Sequence, residues 1–476
     1  EEERYRINVF DWNAEFTEIM KSGGFDAVIG NPPYVRQEGL GEAKEYYLMR
    51  YKSFRSTADL YVNFIEKGIR LLNKAGLFSM IVSNKWLRAA YGQPLREFLT
   101  NNGSVLEIVD LAGLPVFAKA TVRTIILICH PTPKQTKAIR YLAPLPLEDF
   151  YTINSGERLR EFVDQRAVEL PFSGLSAAGW SFSKPGSHQV LQRIKQNGAS
   201  LEEYVGGRMF RGVVTGMNKA FIIDRLIRKR LIAKDQRSAE IIKPVLVGKD
   251  IRRYSIAFQE RYLIFARRGI NINRYPAVLK YLTQFKKELT PKRTGKEQHG
   301  RKPGNYEWYE IQDTIDYYAE FEKPKIIYPD IATTCRFALD KEGYFGSNTT
   351  YFIPSNDLYL LGILNSKLAL FYFSEVCAGL EGGATTYLRF FGQYLENFPV
   401  RPINLSDPAD KARHDRIVSM VKRMLDLYKQ LASAKNPNDK TRLQREIEAT
   451  DRQIDQLVYE LYGLTEEEIK IVEEGS

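Results

Sequence analysis

Hydrophobic and polar positions fall into two regimes along the chain, and a third opens near its carboxyl end. Residues 1–133 alternate short apolar runs with stretches whose apolar residues recur at helical spacing. "YRINVF" predicts a strand, "NAEFTEIMKSG" a helix closed by glycine, and "FDAVIG" a buried strand. In "TADLYVNFIEKGIRLLN", Ala58, Tyr61, Ile65, Ile69 and Leu72 form one stripe, with Thr57 placed as its N-cap. "GLFSMIVSN" predicts a further strand, "GQPLREFLTNN" a helix, and "SVLEIVDL" and "TVRTIILICH" two more strands. Such alternation implies an α/β sheet with a parallel core, whose working groups sit beyond the carboxyl ends of its strands.

Prolines at 131, 133, 144 and 146 punctuate the end of this unit, and residues 134–185 read as a linker. From 186 to 402 the pattern changes to short β-like runs between Gly and Asn turns, such as "RYLIFA", "KIIYPDI" and "GYFGSNTTYFIP". This predicts a separate, mainly β (α+β) domain that also holds helices such as "DLYLLGILNSKLALFYF". In the tail, residues 403–476, Leu443, Ile447, Thr450, Ile454, Leu457 and Leu461 alternate steps of four and three. With the matching stripe of "RIVSMVKRMLDLYKQL", they predict an antiparallel helical hairpin.

The 476 residues suffice for two or three domains, and 44% hydrophobic with 12% aromatic content describes a globular chain. Cys129, Cys335 and Cys377 stand far apart, which excludes a disulfide framework or zinc knuckle read from spacing and fits a reducing cytoplasm, bacterial or archaeal. No metal site is legible. The longest apolar stretch is interrupted by Asn365, Ser366 and Lys367, which argues against a membrane span. Net charge is +11, yet residues 205–302 hold 25 Lys/Arg against 7 Asp/Glu, a local +18 that leaves −7 elsewhere. Charge concentrated this way points to a polyanion, most often nucleic acid.

The end of "FDAVIG" carries the chemistry. Asn31, Pro32, Pro33 and Tyr34 come directly after it. Proline fixes φ near −65° and has no N–H, and a residue before proline is held extended. The Pro32 carbonyl and the Asn31 side-chain oxygen thus become two stiff acceptors suited to an –NH2 group. An exocyclic adenine amine is a poor nucleophile because its lone pair is delocalised into the ring. Accepting both its hydrogens favours a tetrahedral nitrogen and frees the pair for attack. Tyr34 can lie against the base, a contact worth ~1–3 kcal/mol.

On these residues the chain resembles gamma-type N6-adenine DNA methyltransferases. "RINVFDWNAEF", "FDAVIGNPPYVRQE", "YGQPLREFL" and "KATVRTIILI" are similar to the second half of their catalytic domain. "RGVVTGMNKAFII", "KPVLVGKDIRRYS", "YFGSNTTYFI" and "LGILNSKLALFYF" resemble a TaqI-like specificity domain. The combination is that of fused type II restriction–modification enzymes. The resemblance implies the C-terminal part of a Rossmann-like sheet using S-adenosylmethionine, with a target-recognition domain after it. It implies catalytic roles for Asn31, Pro32 and Tyr34, and substrate contacts for Pro33 and for Tyr91, which matches the aromatic on the base's other face. Asn8 occupies the position of an acidic cofactor ligand, with Asp11 as its substitute. The glycine-rich cofactor loop and a nuclease domain are expected upstream of Glu1, so the chain by itself is expected to bind cofactor poorly.

Double-stranded DNA is the partner implied, with the target base flipped out of the duplex. Arg208, Arg211, Lys219, Lys249, Arg252, Arg253, Arg267, Arg268, Lys292 and Arg293 are the candidate DNA contacts. "TPKRTGKEQHGRKPGNYEW" reads as a mobile loop that orders on DNA. Two alternatives remain open: a recognition module without activity of its own, and methylation of RNA or protein glutamine, where the same motif occurs.

Overall fold

The computed structural model describes residues 10–475 apart from 103, 113, 118–122, 133–137, 173–174, 176, 178, 181–185, 294–296, 378 and 383–384. The strand expected in "YRINVF" therefore lies outside the described residues, Phe10 excepted. The chain divides into two compact units, Glu1–His188 and Gln189–Ser476. No described helix is long and apolar enough to cross a membrane.

The first unit is a six-stranded sheet of β1 (Phe25–Gly30), β2 (Leu72–Ser83), β3 (Ser104–Asp110), β4 (Thr124–His130), β5 (Ala138–Leu142) and β6 (Val168–Pro171), in the order β1-β2-β4-β3-β5-β6. β1 and β2 are parallel, as are β3 and β5, whereas β4 runs against both β2 and β3, and β6 against β5. The expected parallel core is thus corrected to a mixed sheet. Four strands share one direction, and β4 is wedged antiparallel between two of them. The carboxyl ends of β1, β2 and β3 consequently share one edge, reached by Gly30, Ser83 and Asp110.

β1 is not the buried strand its apolar run implies. Among the described strands it ends the sheet order, and there Ile29 is 84% exposed. Helix α1 (Tyr61–Arg70) buries the stripe read from its sequence, with Ala58, Tyr61, Ile65 and Ile69 packed against Phe78 and Val82 of β2 in one core. Its start is later than expected. Thr57 does not cap it; a turn closes from Ala58 N–H to Arg55 O at 2.8 Å, and the helix begins only at Tyr61. Helix α2 (Gln93–Asn102) then leads to β3.

The second unit holds two four-stranded sheets. One has the order β11-β9-β10-β8, built from β8 (Ile222–Ile223), β9 (Ile242–Leu246), β10 (Tyr262–Ile264) and β11 (Phe345–Gly346). Its companion runs β13-β12-β14-β7, with β7 (Phe210–Arg211), β12 (Lys325–Pro329), β13 (Ala338–Asp340) and β14 (Thr350–Ile353). "DLYLLGILNSKLALFYF" forms two helices, α3 (Leu358–Leu364) and α4 (Lys367–Val376), split at Asn365 and Ser366. Ser366 caps the second through Ala369 N–H at 3.2 Å, while the Asn365 amide brackets the Phe337 backbone at 2.9 and 3.0 Å.

The tail folds into α5 (Pro408–Ser433), α6 (Pro437–Tyr462) and then α7 (Glu466–Gly475). Leu443, Ile447, Thr450, Ile454, Leu457 and Leu461 are all buried, and the apolar members of that stripe share one core with Tyr254, Tyr328 and Tyr359. Arg253 fastens hairpin to sheet by donating to the Asn365 carbonyl at 3.0 Å and to the Asp451 carboxylate. At Gly362, α3 passes so near α5 that a Cβ would stand 2.8 Å from the Val421 methyl.

One carboxyl in this seam is costly. Asp455 accepts from the Lys367 N–H at 2.8 Å, but its other oxygen is buried without a partner. Burial, with Asp451 nearby, pushes it up to about 6. A raised carboxyl pKa means that the fold binds its proton more tightly than the open chain, so stability is lost as pH rises from about 4 to about 6. Asp455→Asn keeps the acceptor for Lys367 and removes the charge. Thermal melts are expected to show the variant matching wild type at pH 4 and exceeding it at pH 7 by roughly 1–3 kcal/mol. Equal stability at pH 7 would contradict this.

Candidate active site

Asn31 is exposed, Pro32 buried, Pro33 exposed and Tyr34 half-buried, in an extended segment directly after β1. Among the described residues neither the Asn31 amide nor the Pro32 carbonyl has a side-chain partner. The two prolines end the β1–β2 ladder, whose last parallel pair is Gly30 with Met80. The segment beyond the prolines is stitched down. Val35 O accepts from Leu60 N–H at 3.0 Å, and the Gln37 N–H donates to Asp59 at 3.2 Å. The late start of α1 thus serves the site, since the residues before it hold the far side of the proline corner.

Tyr34 reaches back to the sheet and donates its hydroxyl to Ile81 O at 3.1 Å. Burial pushes that hydroxyl up to about 12, so it stays protonated and donating at neutral pH. Its ring meets Phe117 edge-on at 5.7 Å and Tyr61 at 6.5 Å. Tyr61 in turn shares a 2.9 Å hydroxyl–hydroxyl bond with Tyr91. Desolvation raises both of those hydroxyls as well. Tyr34 and Tyr91, distant in sequence, are therefore joined through Tyr61.

Tyr91 is held by its loop. Trp86 and Trp180 pack edge to face at 5.2 Å, both fully buried. Gly92 passes so near Trp86 that a Cβ would lie 2.1 Å from the Trp86 carbonyl. Arg96, itself buried, donates to Trp86 O, to Ala89 O at 3.0 Å and to Ala177 O at 2.8 Å. Desolvation pulls that guanidinium down to about 10, still well above neutrality. At the same sheet edge the half-buried Asp110 accepts from Tyr141 at 3.1 Å and from Ala112 N–H at 2.9 Å, and burial raises its carboxyl. Tyr61, Phe117, Arg96 and Asp110 were not singled out from the sequence. Tyr61 is present there only as one member of an apolar stripe.

Of the two residues expected near the cofactor, Asn8 lies outside the described residues. Asp11 caps the short helix Trp12–Glu15, accepting from Asn13 N–H at 3.0 Å.

The basic residues of the second unit sort into groups. Arg211, Lys219, Lys249, Arg252, Arg267 and Arg293 are exposed, with the Arg267 guanidinium over the Tyr318 ring at 4.7 Å. Arg208 is also exposed but pairs with Glu320 at 2.6 Å. Lys292 is half-buried. Arg268 donates to Gln312 O and lies over Tyr306 at 5.3 Å. Arg253 is corrected to a structural clamp, because Asn365 and Asp451 engage its fork. The loop expected to be mobile is pinned over its second half. Buried Arg301 donates to the carbonyls of Leu289, Thr215, Glu310, Glu307 and Trp308 at 2.6–3.2 Å.

Comparison with known proteins agrees with this division. Residues 1–117 match the family model of the Eco57I restriction-modification methylase, and residues 243–400 that of the TaqI-like C-terminal specificity domain. The type II methyltransferase M.BstVI of Geobacillus stearothermophilus is 26% identical over 98% of this chain and 77% of its own length. M.XhoI of Xanthomonas vasicola is 27% identical over 83% of this chain and 72% of its own. The type II restriction enzyme and methyltransferase RM.Eco57I of Escherichia coli is 23% identical over 100% of this chain, which spans 49% of that protein. Among solved structures, the type IIL restriction-modification enzyme MmeI, determined in complex with DNA, matches with a TM-score of 0.64 at 14% identity, over 98% of this chain and 58% of that one. The chain is thus similar over nearly all its length to type II methyltransferases, with a specificity-domain match over residues 243–400.

The Arg96 clamp can be tested by stability. Arg96→Met removes the donor from the buried Trp86 carbonyl and from the half-buried carbonyls of Ala89 and Ala177, each unmet buried group costing about 1–3 kcal/mol. A loss of roughly 3 kcal/mol or more is expected in denaturant unfolding; a loss below about 1 kcal/mol would show that water replaces the guanidinium.

Proposed function

We propose that this chain carries the adenine-binding and target-reading parts of a DNA methyltransferase that moves a methyl group from S-adenosylmethionine to adenine N6 in duplex DNA. One observation carries the reading: an exposed Asn31 amide and a Pro32 carbonyl without a partner among the described residues stand together where prolines end β1, with Tyr34 beside them.

S-adenosylmethionine supplies a methyl group made electrophilic by its sulfonium; Asp11 and Asn8 are the residues of this chain that would hold it. The chain's own residues do the rest. The Asn31 oxygen and Pro32 carbonyl accept the two N6 hydrogens of a flipped adenine, which shifts the nitrogen toward the geometry of attack. Pro33 keeps the corner stiff. The Tyr34 ring, anchored through its hydroxyl to β2, offers a surface for the base, and Tyr91 closes on it through the Tyr61 link. No general base with a shifted pKa is required before attack, because the electrophile is already activated.

The second unit selects the site. Arg211, Lys219, Lys249, Arg252, Arg267, Arg293, Arg208, Arg268 and Lys292 are assigned to DNA contact, most of them to phosphate. Arg253 is omitted, since its donors are consumed within the fold. The 158-residue match to a specificity domain supports this reading over one in which RNA or protein is the substrate.

In the polypeptide that carries this chain, Asn31→Ala is expected to abolish methyl transfer to duplex DNA while leaving binding of the same duplex within a few-fold. Retained transfer would remove Asn31 from the chemistry. Tyr34→Ala is expected to slow turnover at least tenfold and to reduce the fluorescence of 2-aminopurine placed at the target; an unchanged rate and signal would contradict stacking.

A further inference from the structure

Helix α8 (Arg225–Lys234), which comes directly after β8 in the chain, has the sequence RLIRKRLIAK. It carries five cations and no acidic residue. That arrangement costs helix stability. Arg225 and Lys229 are like charges four residues apart, as are Arg230 and Lys234. Arg225 also sits in the first turn, where the helix dipole disfavours a cation. Asp224 offsets part of this by capping Ile227 N–H at 2.8 Å.

The charges divide between two faces. On the inner side Leu231 is buried, and Ile227 and Ile232 pack on the core of β8, β9 and β10. Arg225 pairs with Glu260 at 3.1 Å, and the Arg228 guanidinium lies over the Tyr262 ring at 4.6 Å. Lys229, Arg230 and Lys234 lie on the outer side, exposed, and none has an ion pair among the described residues. At 100° per residue these three span one face, with Ala233 and the 71%-exposed Leu226 between them. The helix leaves three unpaired cations facing outward at a standing cost in repulsion, and a row of phosphates would relieve that cost.

We infer that this outer face is a phosphate-binding surface for duplex DNA, separate from the residues that read bases. Duplex DNA is favoured over a lipid surface because the helix lacks the apolar face a membrane requires; its apolar residues other than Leu226 and Ala233 are turned inward. The assignment rests on the DNA-binding function proposed above and adds a surface to it.

Counterion release makes the test quantitative, since each phosphate neutralised contributes about 0.9 to the slope of log affinity against log salt. The full chain and a Lys229→Gln, Arg230→Gln, Lys234→Gln variant are titrated with a duplex of fixed sequence across roughly 50 to 300 mM NaCl, a range wide enough to define that slope. The variant's slope is expected to be shallower by roughly 2–3, with the preference for target over scrambled duplex unchanged. An equal slope in a variant that melts like wild type overturns the inference. Wild type that fails to bind duplex at all sinks the function proposed above, a result distinct from an equal slope. Loss of binding to anionic phosphatidylserine vesicles, with the DNA slope unchanged, would assign the helix to a membrane surface and likewise overturn it.

Discussion

Two adjacent prolines cannot donate to a β-ladder, and the site is built on that incapacity. Where β1 would otherwise continue along β2, the chain runs out of N–H groups, so the strand ends at a fixed place with fixed dihedrals. Among the described residues the Pro32 carbonyl and the Asn31 amide left there have no hydrogen-bond partner. Everything around the corner keeps it so: the bond from Leu60 to Val35, the contact of Gln37 with Asp59, and the Tyr34 hydroxyl on Ile81. A flexible loop could present the same groups, but it would have to be ordered again with each ligand it met. The prolines remove that entropy before any ligand arrives.

The aromatic residues about this corner act as one assembly. Tyr61 is a core residue by burial, yet its hydroxyl is the only polar link from the Tyr34 side to Tyr91 among the described contacts. Behind Tyr91, Gly92 and Arg96 fix the Trp86 carbonyl from two sides. A guanidinium buried among backbone carbonyls is an expensive way to hold a loop, since its charge is desolvated there. In return, several carbonyl directions are fixed by a single planar group.

Much of this was legible in the chain. The proline corner could be read because its physics is local: φ restriction and a missing donor need no tertiary context. The coiled-coil-like stripe from Leu443 to Leu461 was legible for the same kind of reason, as a heptad-like step places one face inward wherever it packs. Sheet order was not. That "TVRTIILICH" inserts antiparallel between β2 and β3 depends on connections that hydrophobic pattern does not encode. Nor was the exposure of Ile29 among the described strands, since an apolar run reads the same wherever its strand stands in a sheet. Charge was misleading at Arg253 and Arg301, where a basic segment that looks uniformly solvated supplies internal clamps. Pairing and burial separate the clamps from the outward-facing cations, and both are properties of the folded chain.

The apolar residues of α6 lie in one core with Tyr254, Tyr328 and Tyr359, and Arg253 is tethered to both Asn365 and Asp451. The hairpin therefore cannot detach as a separate step without opening the layer beneath it to water. Tyr328 of β12 and the apolar stripe of α6 would lose their cover together, so the stability of these two elements is coupled through the core they share.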